Sequence, residues 1–71
     1  MATQHHHTPE AWRRIGLTVG HERGQRDRLD HTRQDPRDLW IPPNTPDIYA
    51  AAIRDGYAAG LKGEHVPDGD L

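Results

Sequence analysis

Histidine is the residue type in this sequence best suited to metal binding, and there are six. Three are consecutive at 5–7, and the others are His21, His31 and His65. A zinc site needs three or four convergent ligands, and the chain has neither an HExxH motif nor a cysteine to supply them. Asp27 and His31 would share one helix face, which is more simply a solvated pair. We therefore predict no metal site and no cofactor, and no native role for the 5–7 tract.

The sequence contains no recognisable set of catalytic residues. Serine and cysteine, two common nucleophiles, are both missing. No pair of carboxylates stands in an apolar context that would shift their pKa values, and the few large apolar residues leave little material for a pocket. We therefore predict that the protein is not an enzyme and has no small-molecule substrate.

Arginine is the residue type that could contact a nucleic acid, with eight copies against one lysine. Arg23, Arg26 and Arg33 would contact phosphates from one helix. Acidic residues are interleaved with them, however, and cancel most of the field that phosphate binding requires. The helices are also too far apart in sequence for a helix-turn-helix. Nucleic-acid binding is therefore the alternative function.

Two segments carry the start signals of helices. Thr-Pro followed by an acid occurs at 8–10 and again at 45–47. The threonine hydroxyl can accept a hydrogen bond from a free first-turn N–H, proline suits the first helical position, and the acid complements the positive helix end. We predict one helix from Pro9 to about Arg33, before a residue that precedes proline, and another from Pro46 that stops at Gly63.

Both predicted helices carry small residues at four-residue spacing. A glycine inside a helix costs about 1 kcal/mol relative to alanine, and close approach by another helix would offset that cost. The predicted packing residues are Gly16, Gly20, Gly56, Gly60, Tyr49 and Ile53. Overpacking should make Gly56→Leu strongly destabilising and Gly56→Ala milder. A bend or break in the first helix is expected at Gly20 or Gly24.

An apolar cluster lies between the helices, at Leu39, Trp40 and Ile41, and two prolines that extend the chain follow it. Folded back, this cluster would cover the end of the helix pair. Exposed, it would anchor a partner, because tryptophan is over-represented among interface hot spots. These three residues and Trp12 are the candidate partner anchors.

The predicted fold is all-α: a small helical hairpin of two antiparallel helices joined by a proline-rich crossover. Residues 1–7 are expected to be flexible, residues 8–63 to form the hairpin domain, and residues 64–71 to form an acidic tail. A chain of 71 residues without disulfides has a thin core, which favours self-association or docking on a larger partner. No segment has the pattern of a membrane span.

These features together predict a non-enzymatic protein–protein interaction or assembly module. It would act by self-association or by binding a host or virion protein. Abundant arginine and alanine with little lysine are typical of GC-rich coding, which favours a phage of an actinobacterial host as the source. The expected location is the host cytoplasm or the virion.

Overall fold

The structure is a computed structural model that describes residues 8–67. In that range it contains helix α1 (Pro9–Asp30), a 3-10 turn (Pro36–Asp38) and helix α2 (Asp47–Lys62), and no strand. The predicted all-α class, with two helices joined by a proline-containing connection, is confirmed. The expectations for residues 1–7 and 68–71 lie outside the described range.

Helix α1 begins where the sequence predicts. Thr8 is the N-cap, and its hydroxyl accepts a hydrogen bond from the Ala11 N–H at 3.1 Å. Pro9 occupies the first helical position. The helix then runs without interruption through Gly20 and Gly24, so a break at either residue is wrong.

Helix α1 ends three residues before the predicted boundary. His31 adopts the left-handed conformation, with a φ of 59°, and its N–H bonds the Asp27 carbonyl. Thr32 donates its own N–H to the same oxygen at 2.8 Å. This closure satisfies a carbonyl that would otherwise have no helical partner, and it turns the chain out of the helix.

Helix α2 begins one residue later than predicted. Asp47 is its first residue, and Pro46 precedes it without a side-chain cap. Thr45, the predicted cap, instead donates its N–H to the Pro42 carbonyl at 3.0 Å in a turn. The predicted stop is present, since Gly63 has a φ of 75° and donates its N–H back into the last turn.

The two helices run parallel, which corrects the antiparallel hairpin. Near their N-terminal ends, the rings of Trp12 and Tyr49 lie 4.8 Å apart between centroids. Near their C-terminal ends, the Arg28 guanidinium lies over Gly63, with Cζ 3.5 Å from the position of an added Cβ. Residue numbers therefore rise together along the contact, whereas an antiparallel pair would show opposite trends.

The connection between the helices is long enough to allow this arrangement. Short loops force neighbouring helices to be antiparallel, but residues 31–46 can extend to about 50 Å, against about 24 Å for the length of α2. The connection returns along α2. Gln34 is bonded to Tyr57, and further on Thr45 lines a groove with Tyr49.

The core is small and lies mainly between the two helices. The apolar side chains that are less than 5% exposed are Leu17, Leu39, Ala52, Tyr57 and Ala59. Ile15 and Val19, which belong to the apolar stripe of α1, are each more than one third exposed. Neither α1 nor α2, the long helices of the described range, has an apolar run sufficient to cross a lipid bilayer.

Candidate functional site

Interlocking glycines bring the helices to backbone contact. A Cβ added at any of four glycines would clash with a carbonyl oxygen of the other helix, which no rotamer change could relieve. The four glycine–carbonyl pairs are Gly20 with Ile53, Gly24 with Tyr57, Gly56 with Leu17, and Gly60 with His21. The hydrogen in place of each Cβ therefore faces a carbonyl oxygen, the geometry of a Cα–H···O contact. We call these four glycines and Gly16 the glycine interface.

The predicted packing residues all lie at or beside this interface. Gly16 is at its N-terminal end, where an added Cβ would be 2.7 Å from the Ala52 Cβ and 2.9 Å from the Tyr49 carbonyl oxygen. Ile53 contributes its carbonyl to the interface. The glycine interface therefore sets the relative position of α1 and α2.

A buried tyrosine joins the connection to both helices. The Tyr57 hydroxyl donates a hydrogen bond to the Asp27 carboxylate at 2.6 Å and accepts one from the Gln34 N–H at 3.2 Å. The bond from Tyr57 lowers the pKa of Asp27, and burial raises the pKa of Tyr57. Thr32 also donates to this carboxylate, at 3.1 Å. The Asp27 carboxylate therefore accepts hydrogen bonds from Tyr57 and Thr32, and it does not form the expected side-chain pair with His31.

Beyond this anchor, the connection and the two helices enclose a mostly apolar groove of about 300 Å³. Three elements line it, and we call it the Trp40 groove. Its lining residues are Val19 and Arg23 of α1, Tyr49 and Ile53 of α2, and Leu39, Trp40, Ile41, Pro42 and Thr45 of the connection. The groove forms where the returning connection lies beside both helices.

The candidate anchors have different environments. Leu39 is 3% exposed and belongs to the core, whereas Trp40 next to it is 71% exposed at the groove. Ile41 is half-buried in the lining. Trp12 lies apart from the lining and packs edge-on against Tyr49, with an interplanar angle of 62°. The cluster is therefore divided: Leu39 is buried in the core, and Trp40 is exposed.

Arg23 gives the groove a positive charge. Its side chain is exposed, and it makes no salt bridge to another described residue. Asp27 is close enough for Arg23 to contribute to its lowered pKa, after the larger effect of the hydrogen bond from Tyr57. The groove thus combines an apolar lining with a guanidinium that is available to a carboxylate.

The three arginines of the nucleic-acid alternative have three different settings. Arg23 lines the Trp40 groove, while Arg26 borders a shallow depression on α1 together with Glu22 and Asp30. Arg33 follows the end of α1, in the connection.

No group of three or more histidine and acidic side chains within residues 8–67 is placed to hold a metal ion. His21 instead donates from Nε2 to the Glu64 carbonyl oxygen at 2.6 Å, which ties the segment after α2 to α1. His31 serves as the C-cap of α1.

Two features of the site were not identified from the sequence. Tyr57 is not among the residues predicted from the sequence, although its hydroxyl joins the connection to both helices. Val19 and Arg23 are four residues apart on α1, and this spacing was the available signal that they share a surface. No protein-family model matches the chain, and no curated protein or solved structure matches it either.

Proposed function

We propose that this protein is a non-enzymatic interaction module that binds a protein chain through the Trp40 groove. One observation carries the proposal: Trp40 is 71% exposed beside a mostly apolar groove. A tryptophan ring is a large apolar surface to leave in water, and tryptophan is enriched among the residues that dominate binding energy. The most economical reason for this exposure is that a partner covers the ring.

The chemistry of the lining supports binding over catalysis. Its only charged residue is Arg23, and it contains no carboxylate, histidine or cysteine. A groove of about 300 Å³ is at the small end of ligand sites. It would accept one or two apolar side chains of a partner, which is how anchor residues engage protein surfaces.

The module would act by self-association or by binding a host or virion protein. The composition typical of GC-rich coding is the reason for proposing a phage of an actinobacterial host as its source. The proposed location follows from that source, and it is the cytoplasm of the infected cell or the virion.

The proposal is tested by selecting binders without assuming a partner. The intact protein is immobilised, and a displayed library of random peptides is enriched on it. Selected peptides are then measured against Trp40→Ala and against Leu29→Ala, a matched control because Leu29 is 69% exposed on α1 outside the groove. We expect Trp40→Ala to weaken binding by about tenfold or more and Leu29→Ala to leave it unchanged. Peptides that bind all three proteins equally, or no enrichment from a protein that is monomeric under the same conditions, would refute the proposal.

A further inference from the structure

We propose that the occupant of the Trp40 groove is a second copy of this chain, in a two-fold symmetric dimer. Trp40 of each copy enters the groove of the other, and Asp38 of each faces Arg23 of the other. The inference rests on the proposed function, because it names the partner of the same groove.

The connection exposes Asp38 and Trp40 on either side of a buried residue. Leu39, between them, has the extended conformation, with a φ of −63° and a ψ of 125°, and its side chain is 3% exposed. Asp38 is the last residue of the 3-10 turn, and its side chain is exposed, as is that of Trp40 on the other side of Leu39. An acidic side chain and an apolar side chain are therefore exposed close together in sequence, and Trp40 also lines the groove.

Charge complementarity favours the second copy as occupant. Asp38 is exposed and makes no salt bridge with another described residue, and the same is true of Arg23 in the groove. The carboxylate is two residues from the tryptophan, and the guanidinium lines the groove that would receive that ring. In a two-fold symmetric dimer, each contact occurs twice. Two ion pairs between Asp38 and Arg23 and two inserted Trp40 rings would therefore form together.

The thin core is the second reason to expect self-association. Only five apolar side chains of the described range are less than 5% exposed, while Trp40 and Val19, which line the groove, are 71% and 42% exposed. Chains of this size commonly gain part of their stability from oligomerisation. Covering the groove with an identical groove would remove this surface from both copies without requiring any other protein.

The test is the molar mass of the intact protein by sedimentation equilibrium, from about 1 µM to about 1 mM. We expect a reversible transition from the 8.1 kDa chain to twice that mass. Trp40→Ala should raise the dissociation constant by about tenfold or more, and Leu29→Ala should not change it. Circular dichroism of each variant, at a concentration where it is monomeric, verifies that the helices are intact.

Charge reversal tests the pairing itself. Arg23→Glu and Asp38→Arg should each weaken the dimer by about tenfold, since each substitution affects both symmetric pairs. The double variant should recover most of the loss, because the pairs form again with reversed polarity. A dimer that is insensitive to Trp40→Ala, or single charge reversals that the double variant fails to rescue, would overturn the proposal.

A protein that stays monomeric throughout the concentration range would also overturn this inference. If the monomer still selected peptides in a manner that depends on Trp40, the groove would bind a different protein and the proposed function would stand. If the monomer selected none, the proposed function would fail as well.

Discussion

Replacing Gly56 by alanine tests whether the helices touch through their backbones. An added Cβ would clash with the Leu17 carbonyl oxygen and would lie 2.9 Å from the His21 nitrogen. Both neighbours are backbone atoms of α1, which a rotamer change cannot move aside. Alanine is still expected to be milder than leucine at this position, but the contact with backbone atoms makes alanine costly as well.

The size of the effect follows from two opposed terms. Alanine is favoured over glycine in a helix by about 1 kcal/mol. Against this, the contact must open by about 1 Å to reach ordinary van der Waals separation, and overpacking of this kind costs up to about 3 kcal/mol. Opening the helices also weakens the other Cα–H···O contacts of the glycine interface, worth about 0.5 to 1 kcal/mol each. We expect a net loss of about 2 to 3 kcal/mol.

This loss is large for so small a protein, whose free energy of unfolding should be about 4 to 10 kcal/mol. The assay is urea denaturation followed by circular dichroism at one fixed protein concentration, since self-association would make the stability depend on concentration. Ala51→Gly is the control for helix propensity, because Ala51 is exposed on α2. It should lose about 1 kcal/mol.

Gly16→Ala provides a graded comparison. The nearest atom to its added Cβ is the Ala52 Cβ at 2.7 Å, and the Tyr49 carbonyl oxygen is 2.9 Å away, so the obstruction is smaller than at Gly56. A Gly56→Ala protein that is as stable as the wild type, or more stable by the propensity difference, would refute close helix packing at this position.

Three further perturbations test the ends of the helices and the tyrosine anchor. Tyr57→Phe should lower the free energy of unfolding by about 1 to 2 kcal/mol at neutral pH, because Asp27 loses a donor and a backbone N–H loses its acceptor. Since the pKa of Asp27 is lowered in the folded state, its contribution is present above its ordinary pKa near 3.8 and is lost as pH falls through the folded value, so the difference between the two proteins should shrink in acid. A difference that is constant down to pH 2 would contradict this role. Thr8→Ala should cost about 1 kcal/mol while Thr45→Ala costs much less, because only Thr8 caps a helix through its side chain, and equal losses would contradict the assigned caps. His31→Gly should stabilise by about 0.5 to 1 kcal/mol in the same denaturation assay, since glycine adopts the left-handed conformation without strain, and a destabilised variant would show that the imidazole has another role.

Much of the fold could be predicted from residues that start or end helices. The cap at Thr8 and the stop at Gly63 follow from residues that act on the backbone next to them, and the structure has both. The all-α class follows from the same signals. Thr45 failed as a cap because α2 begins at Asp47, which puts Pro46 in the cap position. Helix α1 ended early because His31 took a conformation that is uncommon for a residue with a side chain.

The direction of the second helix could not be predicted in this way. Glycines at four-residue spacing form the same flat stripe whether a helix is read upward or downward, so they specify a close neighbour and leave its orientation open. Orientation came from the connection, which Tyr57 and Leu39 hold against the helices. The Trp40 groove forms only because the connection follows this course. Val19 and Arg23 could therefore not be assigned to the groove from the sequence.

The parallel arrangement determines how the protein resists mechanical force. In an antiparallel hairpin the outer ends of the helices are neighbours, so tension between them peels the contacts apart one after another. Here Thr8 and Gly63 are at opposite ends of the helix pair, and tension between them pulls α1 and α2 past each other lengthwise. All of the glycine–carbonyl contacts then bear the force at the same time, and the two helices resist it as a structure loaded in shear.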